Sequence, residues 1–287
     1  MLELFYSIIS SSLLFVLFKS FQLKKINTFQ AIVVNYFTAA IVGISLSAVD
    51  FNYGNTVGSD WFIGAILLGI LFISIFNLMA KTAQINGLSV ASVASKMSVI
   101  IPVIFGFYVY NEEAGFIKVI AILLALIAVY LASIKNEKNI DFKKHLSYPI
   151  LLFLGSGVID TSIKFIETTY VPENGIPLFS ATIFLIAGSI GIILSIGFKK
   201  TFGFKNDIKT IIAGIILGIV NYSSIYFLLK ALNNEHLESS SIFTINNVAI
   251  VMTTSLIGLL FYKESLSKKN WLGISLAIVS IMLISTS

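Results

Sequence analysis

The feature that most constrains this chain is a succession of apolar stretches joined by short connections. A helix crossing about 30 Å of hydrocarbon needs about 20 mainly apolar residues. Ten segments meet that length: 2–19, 30–49, 61–81, 89–110, 115–134, 148–168, 177–198, 209–231, 237–261 and 270–286. The two longest connections, 50–60 and 135–147, leave no room for a separate soluble domain. Charged residues make up 11% of the chain, against about 25% in soluble domains. Most of the surface must therefore face lipid. The expected fold is an all-α integral membrane protein with ten transmembrane helices.

All 19 basic residues are lysine, and the net charge is +5. The lysines flank the apolar spans, which fits a membrane surface and argues against nucleic acid as a partner. Fifteen fall on one set of alternating loops: Lys19, Lys24, Lys25, Lys81, Lys135, Lys138, Lys143, Lys144, Lys199, Lys200, Lys205, Lys209, Lys263, Lys268 and Lys269. The other set holds Lys118, Lys164 and Lys230. Basic loops stay cytoplasmic, so both termini are expected outside, in the cytoplasmic membrane of a prokaryote. The first residues lack a basic signal-peptide region, so the first helix is expected to be retained. With no cysteine, two histidines (His145, His236) and no ligand spacing, no metal or other cofactor is expected. The expected assembly is a monomer or a weak homodimer.

The chain also repeats itself. Leu68, Gly69, Lys81 and Ser92 recur as Leu217, Gly218, Lys230 and Ser241. After a three-residue insertion, Gly106, Tyr110, Glu112 and Ile122 recur as Gly258, Tyr262, Glu264 and Ile274. The expected organisation is a five-helix repeat over 1–134, a charged cytoplasmic linker over 135–147 and a second five-helix repeat over 148–287. An odd number of spans inverts the second repeat, and inverted repeats place binding sites near the bilayer midplane.

Ten spans in two five-helix halves resemble the drug/metabolite transporter superfamily, and EamA-type transporters in particular. The pattern is a run of small residues, then Pro102, then an apolar run to Tyr110, Asn111, Glu112 and Glu113. The second half has Gly258, Tyr262 and Glu264, then Trp271 and Gly273. Thr254 departs from the pattern, standing where a second proline is expected, and so does Lys96. The resemblance implies passage of amino acids or other small metabolites, often outward.

Lys96 lies inside the fourth span, about 10 Å from its cytoplasmic end. An ammonium at a helix centre costs roughly 2.5–3.5 kcal/mol on insertion scales. Two readings compete. The stem snorkels back to the headgroups, or Lys96 shares a watery face with Ser92 and Ser95, which stand at helical spacing from it. Asp160 lies roughly 16 Å into the sixth span. It either pairs structurally with Lys164, four residues on, or serves as a proton or charge-pair site. Asn35 and Tyr36, Asn77, Asn221 and Tyr222, and Thr244 and Asn247 complete the candidate set. Serines and glycines such as Ser10, Ser11, Ser12, Gly155, Ser156, Gly157, Gly214 and Gly218 read mainly as helix packing.

These residues point to a transporter of a small polar substrate, an amino acid or similar zwitterion, moved by alternating access and not an enzyme. Lys96 would meet a carboxylate and Asp160 an ammonium or a proton. Efflux of cationic drugs by proton exchange is weakened because the only acid of the first span is the terminal Glu3. A lipid-modifying enzyme lacks its usual arginines and clustered acids.

Overall fold

A computed structural model describes residues 2–46, 56–109, 115–133, 142–172, 175–198, 202–204, 207–232 and 239–285. Among them the regular structure is all helical. The helices are α1 (Leu2–Leu23), α2 (Thr28–Ser45), α3 (Phe62–Ile85), α4 (Leu88–Met97), α5 (Ile100–Val109), α6 (Phe116–Ser133), α7 (Phe142–Tyr170), α8 (Ile176–Gly197), α9 (Ile208–Leu232), α10 (Ser239–Tyr262) and α11 (Lys268–Ser285). Each expected span coincides with a helix, except that the fourth is broken into α4 and α5. Among the described residues, eight helical segments are long and apolar enough to cross a membrane. The apolar part of α6, Val119–Ala132, is shorter. The sixth helix of the expected set starts at Phe142, inside the expected linker. Hydropathy marks the lipid-facing stretch, whereas the helix, with Pro149 inside it, continues beyond that stretch back to Phe142.

The chain divides into two compact units. One comprises Met1–Ser20, Leu78–Val158 and Ser223–Ser287; the other comprises Phe21–Asn77 and Ile159–Tyr222. Lipid tails are as apolar as leucine, so helices in a membrane associate through close packing and hydrogen bonds rather than through a hydrophobic drive. Both units show this.

In the first unit α6 and α11 run antiparallel along a seam of small residues. Ala121, Ala125, Ala128 and Ala132 are buried, as are Ala277 and Ser280. The Ser280 hydroxyl donates to the Ala121 carbonyl at 2.7 Å, and Asn270 Nδ2 donates to Ala132 O at 2.8 Å. A Cβ at Gly273 would lie 2.5 Å from the Ala132 nitrogen, so a larger residue there would push the pair apart. α4 and α10 are also antiparallel, joined by the Thr254 hydroxyl donating to Ser92 Oγ at 2.7 Å. α1 lies parallel to α10: Ser7 Oγ donates to Asn246 Oδ1 at 3.1 Å, and Ser20 Oγ meets Tyr262 OH at 2.7 Å. The C-terminal ends of α1 and α3 exchange bonds. Lys19 Nζ donates to Gln84 O, and Gln84 Nε2 donates to Phe18 O, both at 2.9 Å. The lysine thereby satisfies a carbonyl that the end of α3 leaves open.

In the second unit α2 and α8 are antiparallel. Gly43 approaches Ala181, Gly188 approaches Phe37, and Gly191 approaches Val33. α2 is parallel to α9, with the carbonyls of Ala31 and Asn35 each 2.7 Å from where Cβ atoms of Gly214 and Gly218 would stand. The Gly214–Gly218 spacing is therefore used for backbone approach. α3 packs on α8 in the same way, Gly69 against Ile186 and the Ala187 backbone. Trp61, Ala65, Leu68, Phe179 and Ile183 form the buried core there. Asp207 caps α9: it accepts from the Thr210 hydroxyl at 2.7 Å and the Lys209 N–H at 3.1 Å. The Thr210 hydroxyl foremost, with the backbone N–H groups, holds its carboxyl below the usual range.

Candidate functional site

The fourth span was expected over 89–110; a helical span runs there over Leu88–Gly106, interrupted by one tight turn between Met97 and Ile100. α4 ends at Met97 and α5 begins at Ile100. The cause lies in the sequence. Pro102 has no N–H, so the Ser98 carbonyl loses the donor four residues on. The Ile101 N–H takes that carbonyl instead, at 2.9 Å, in a tighter turn. The Ser98 hydroxyl donates to Ser95 O at 2.6 Å and satisfies another open carbonyl of α4. Irregular backbone at membrane depth is tolerated where protein buries it, and Met97, Ser98 and Ile100 are fully buried.

Lys96 stands in the last turn of α4, about 12 Å along it. A cation is favoured at that carbonyl-rich end. Lys96 and Ser95 are half-buried. Ser92 is fully buried, donates to Ser89 O at 3.1 Å and receives the Thr254 hydroxyl. It joins α4 to α10 rather than facing an open surface. On α10, Asn247 is half-buried, and Asn246 is buried and bonded to Ser7. The side chains of Thr244 and Ser240 lie outside the described residues, as do Glu112 and His236.

The remaining candidates belong to the second unit. Asn35 and Asn221 are buried, with side-chain amides 3.2 Å apart across α2 and α9. Oriented to satisfy both of its atoms, the Asn35 amide donates to Leu217 O at 3.3 Å and accepts from the Tyr36 N–H at 3.2 Å. Tyr36 is fully buried, donates to Phe72 O at 2.7 Å and lies 6.0 Å from the Phe184 ring. These three make polar contacts between neighbouring helices of their own unit. Asn77 is half-buried and donates to Ile73 O at 2.7 Å, leaving its carbonyl oxygen as an acceptor. Tyr222 is half-buried beside Gly43. Asp160 and Lys164 are exposed on α7. Among the described residues no group of three or more His, Cys, Asp or Glu side chains is placed to hold a metal.

Glu264 belongs to a sequence motif, and its role is spatial. Its Oε1 accepts the Leu88 N–H at 2.7 Å, the first N–H of α4, and its Oε2 lies 3.5 Å from Ser89 Oγ. The signal in the sequence is the recurrence of Gly–x3–Tyr–x–Glu at 106–112 and 258–264. Glu264 also lines a cavity of about 230 Å³ shared with Lys19, Asn86, Tyr262, Lys263 and Asn270.

Comparison with known proteins fits this architecture. An uncharacterized protein of Haemophilus influenzae is 28% identical over 290 residues, covering 97% of this chain and 96% of that protein. A solved crystal structure superposes with a TM-score of 0.59 over 99% of this chain and 95% of its own, at 14% identity, and so shares the fold. A family model for the EamA-like transporter family matches residues 1–134 and 147–286. This chain is a multi-pass membrane protein that belongs to the EamA-like transporter family.

Proposed function

We propose that this protein carries a small polar metabolite, an amino acid or similar zwitterion, outward across the cytoplasmic membrane of a prokaryote. The observation that carries this reading is the break in the fourth span beside Lys96. The C-terminal end of a half-helix at membrane depth carries the negative end of its dipole, which favours a cation such as Lys96 there. An ionisable residue inside a membrane span is a functional-site candidate by default. Lys96 meets the substrate carboxylate, and Ser95 and Asn247 supply hydrogen bonds from the same unit. Asp160, with Lys164, is the proposed proton or charge-pair site, in the other unit.

Alternating access between two inverted five-helix halves completes the proposal. The family match falls in two stretches that coincide with the two repeats. Repeat mates pack on each other: α2 on α8, α4 on α10 and α6 on α11. Each of these pairs is antiparallel, as inversion requires. The mates Gly69 and Gly218 make equivalent approaches, one to α8 and the other to α2. With fifteen lysines on one set of loops, that face is cytoplasmic and both termini are outside.

The test is uptake into proteoliposomes from a panel of the twenty amino acids, with Lys96→Met in parallel. Saturable transport of a zwitterion that Lys96→Met lowers at least about tenfold, equivalent to 1.4 kcal/mol, supports the assignment. Transport confined to cations lacking a carboxylate, unaffected by Lys96→Met, overturns it.

A further inference from the structure

The half-helix that carries Lys96 is held at its other end by a group from a distant part of the chain. α4 is short, and its N-terminal residue offers no side-chain cap: the position is Gly87. The first N–H groups of a helix need acceptors, and here the acceptor comes from the α10–α11 turn, 176 residues away. Glu264 Oε1 accepts from the Leu88 N–H at 2.7 Å, with Oε2 at 3.5 Å from Ser89 Oγ.

The surroundings are shaped to that carboxylate. Gly87 has φ +108°, a conformation that glycine adopts at little cost. A Cβ there would lie 2.8 Å from both carboxylate oxygens. A Cβ on Gly258, one turn back along α10, would lie 2.5 Å from Oε2. Two glycines therefore clear the space that the carboxylate fills. The chain reaches this position because Lys263 turns left-handed (φ +52°), the conformation that ends many helices, and the Glu264 N–H closes on Gly258 O at 2.9 Å. The Glu264 cap, the Gly258 clearance and the Tyr262 bond to Ser20 thus fall within about two turns' length at the C-terminal end of α10.

We infer that Glu264 is a positioning residue, which sets the placement of α4, and with it Lys96 and Ser95, from the end of α10. A shift of the α10–α11 turn then passes to the Lys96 end of α4 without any contact at Lys96 itself. This rests on the proposed role of Lys96 for its functional meaning, but its test does not use transport.

The chain has no cysteine, so an introduced thiol is the sole one in the protein. Ser95→Cys, at the far end of α4, is reacted in purified protein with a water-soluble methanethiosulfonate. Rates are compared in backgrounds with native Glu264, Glu264→Gln, Glu264→Ala and Gly258→Ala. Asn77→Cys serves as the control. Loss of a helix cap shifts the local equilibrium by roughly fivefold. The expected result is a change of that order at position 95 in Glu264→Ala and Gly258→Ala, little change in Glu264→Gln, whose amide oxygen still accepts from Leu88, and none at position 77. Unchanged rates at 95 in both the Glu264→Ala and Gly258→Ala backgrounds overturn the inference. An equal change at 77 also overturns it, because it marks general loosening of the fold. A substrate panel that fails leaves the labelling result standing, so the two proposals can fail separately.

Discussion

The fourth span and the segment that mirrors it in the sequence, α10, begin from similar material and end differently. Both hold small and hydroxylated residues followed by an apolar run to Tyr–x–Glu. One is broken between Met97 and Ile100; the other is one helix of 24 residues. The difference traces to a few positions. Pro102 withholds a donor from the Ser98 carbonyl, whereas Thr254, standing where a second proline is expected, keeps its N–H and places its hydroxyl 2.7 Å from the Ile250 carbonyl. The same hydroxyl ties α10 to Ser92. Lys96 stands beside the break, and the matching region of α10 offers Ile245 or Val248. Both charge and irregular backbone have therefore been placed in one of the two related helices. α10 is the continuous partner to which the broken one is bonded, through Thr254 and Ser92.

The largest effect expected from disturbing this contrast is at Thr254. Thr254→Pro would remove a backbone donor and insert a ring into an unbroken helix, at a cost of about 3 kcal/mol or more, and would also delete the bond to Ser92. The purified variant should melt well below the parent in detergent, if it accumulates at all. A variant as stable as the parent would show that α10 does not need to be continuous, and the contrast would lose its structural meaning.

Pro102→Ala tests the other side. It restores a donor to the Ser98 carbonyl but does not by itself remove the Ser98–Ser95 bond. The stability change should be smaller than for Thr254→Pro, on the order of 1 kcal/mol and of either sign, because the turn has packed around its own geometry. The sharper expectation is functional. Transport of the substrate found in the panel should fall at least about tenfold while the melting temperature stays close to that of the parent. Full transport would detach the break from function.

How much of this was readable beforehand differs by kind of information. The spans were legible, since hydrocarbon imposes length and apolarity directly on the sequence. Pro102 was visible too, but its effect was not. Proline within a membrane helix is tolerated in many ways, and the break depends on Ile101 and Ser98 taking over the open carbonyls. Side-chain contacts were legible only where spacing along one helix decides them. Asn35, Tyr36 and Ser92 look like cavity-lining groups on a list of intramembrane polar residues. Their protein partners are Asn221 and Leu217, Phe72, and Thr254, brought from other helices by tertiary packing. Glu264 shows the reverse: it looks like a surface acid after a span, and its meaning comes from the Leu88 N–H that reaches it across 176 residues.

The smallest expected effect is also the most discriminating. Ser92→Ala would remove the acceptor for the Thr254 hydroxyl while leaving that hydroxyl its own Ile250 carbonyl. Thr254 is therefore not left unsatisfied, and the usual penalty for an orphaned polar group does not apply. Interhelical hydrogen bonds in membranes are worth about 0.6 kcal/mol on average, so the loss in a denaturant or thermal titration should be near that value. Thr254→Val should cost more, because it also puts an apolar branch against Ser92 Oγ and leaves that oxygen only the Ser89 carbonyl. In the double variant the two costs should combine to less than their sum, by roughly the same 0.6 kcal/mol. Strict additivity would mean that the 2.7 Å contact contributes nothing, and that α4 is held to α10 by Glu264 and close packing alone.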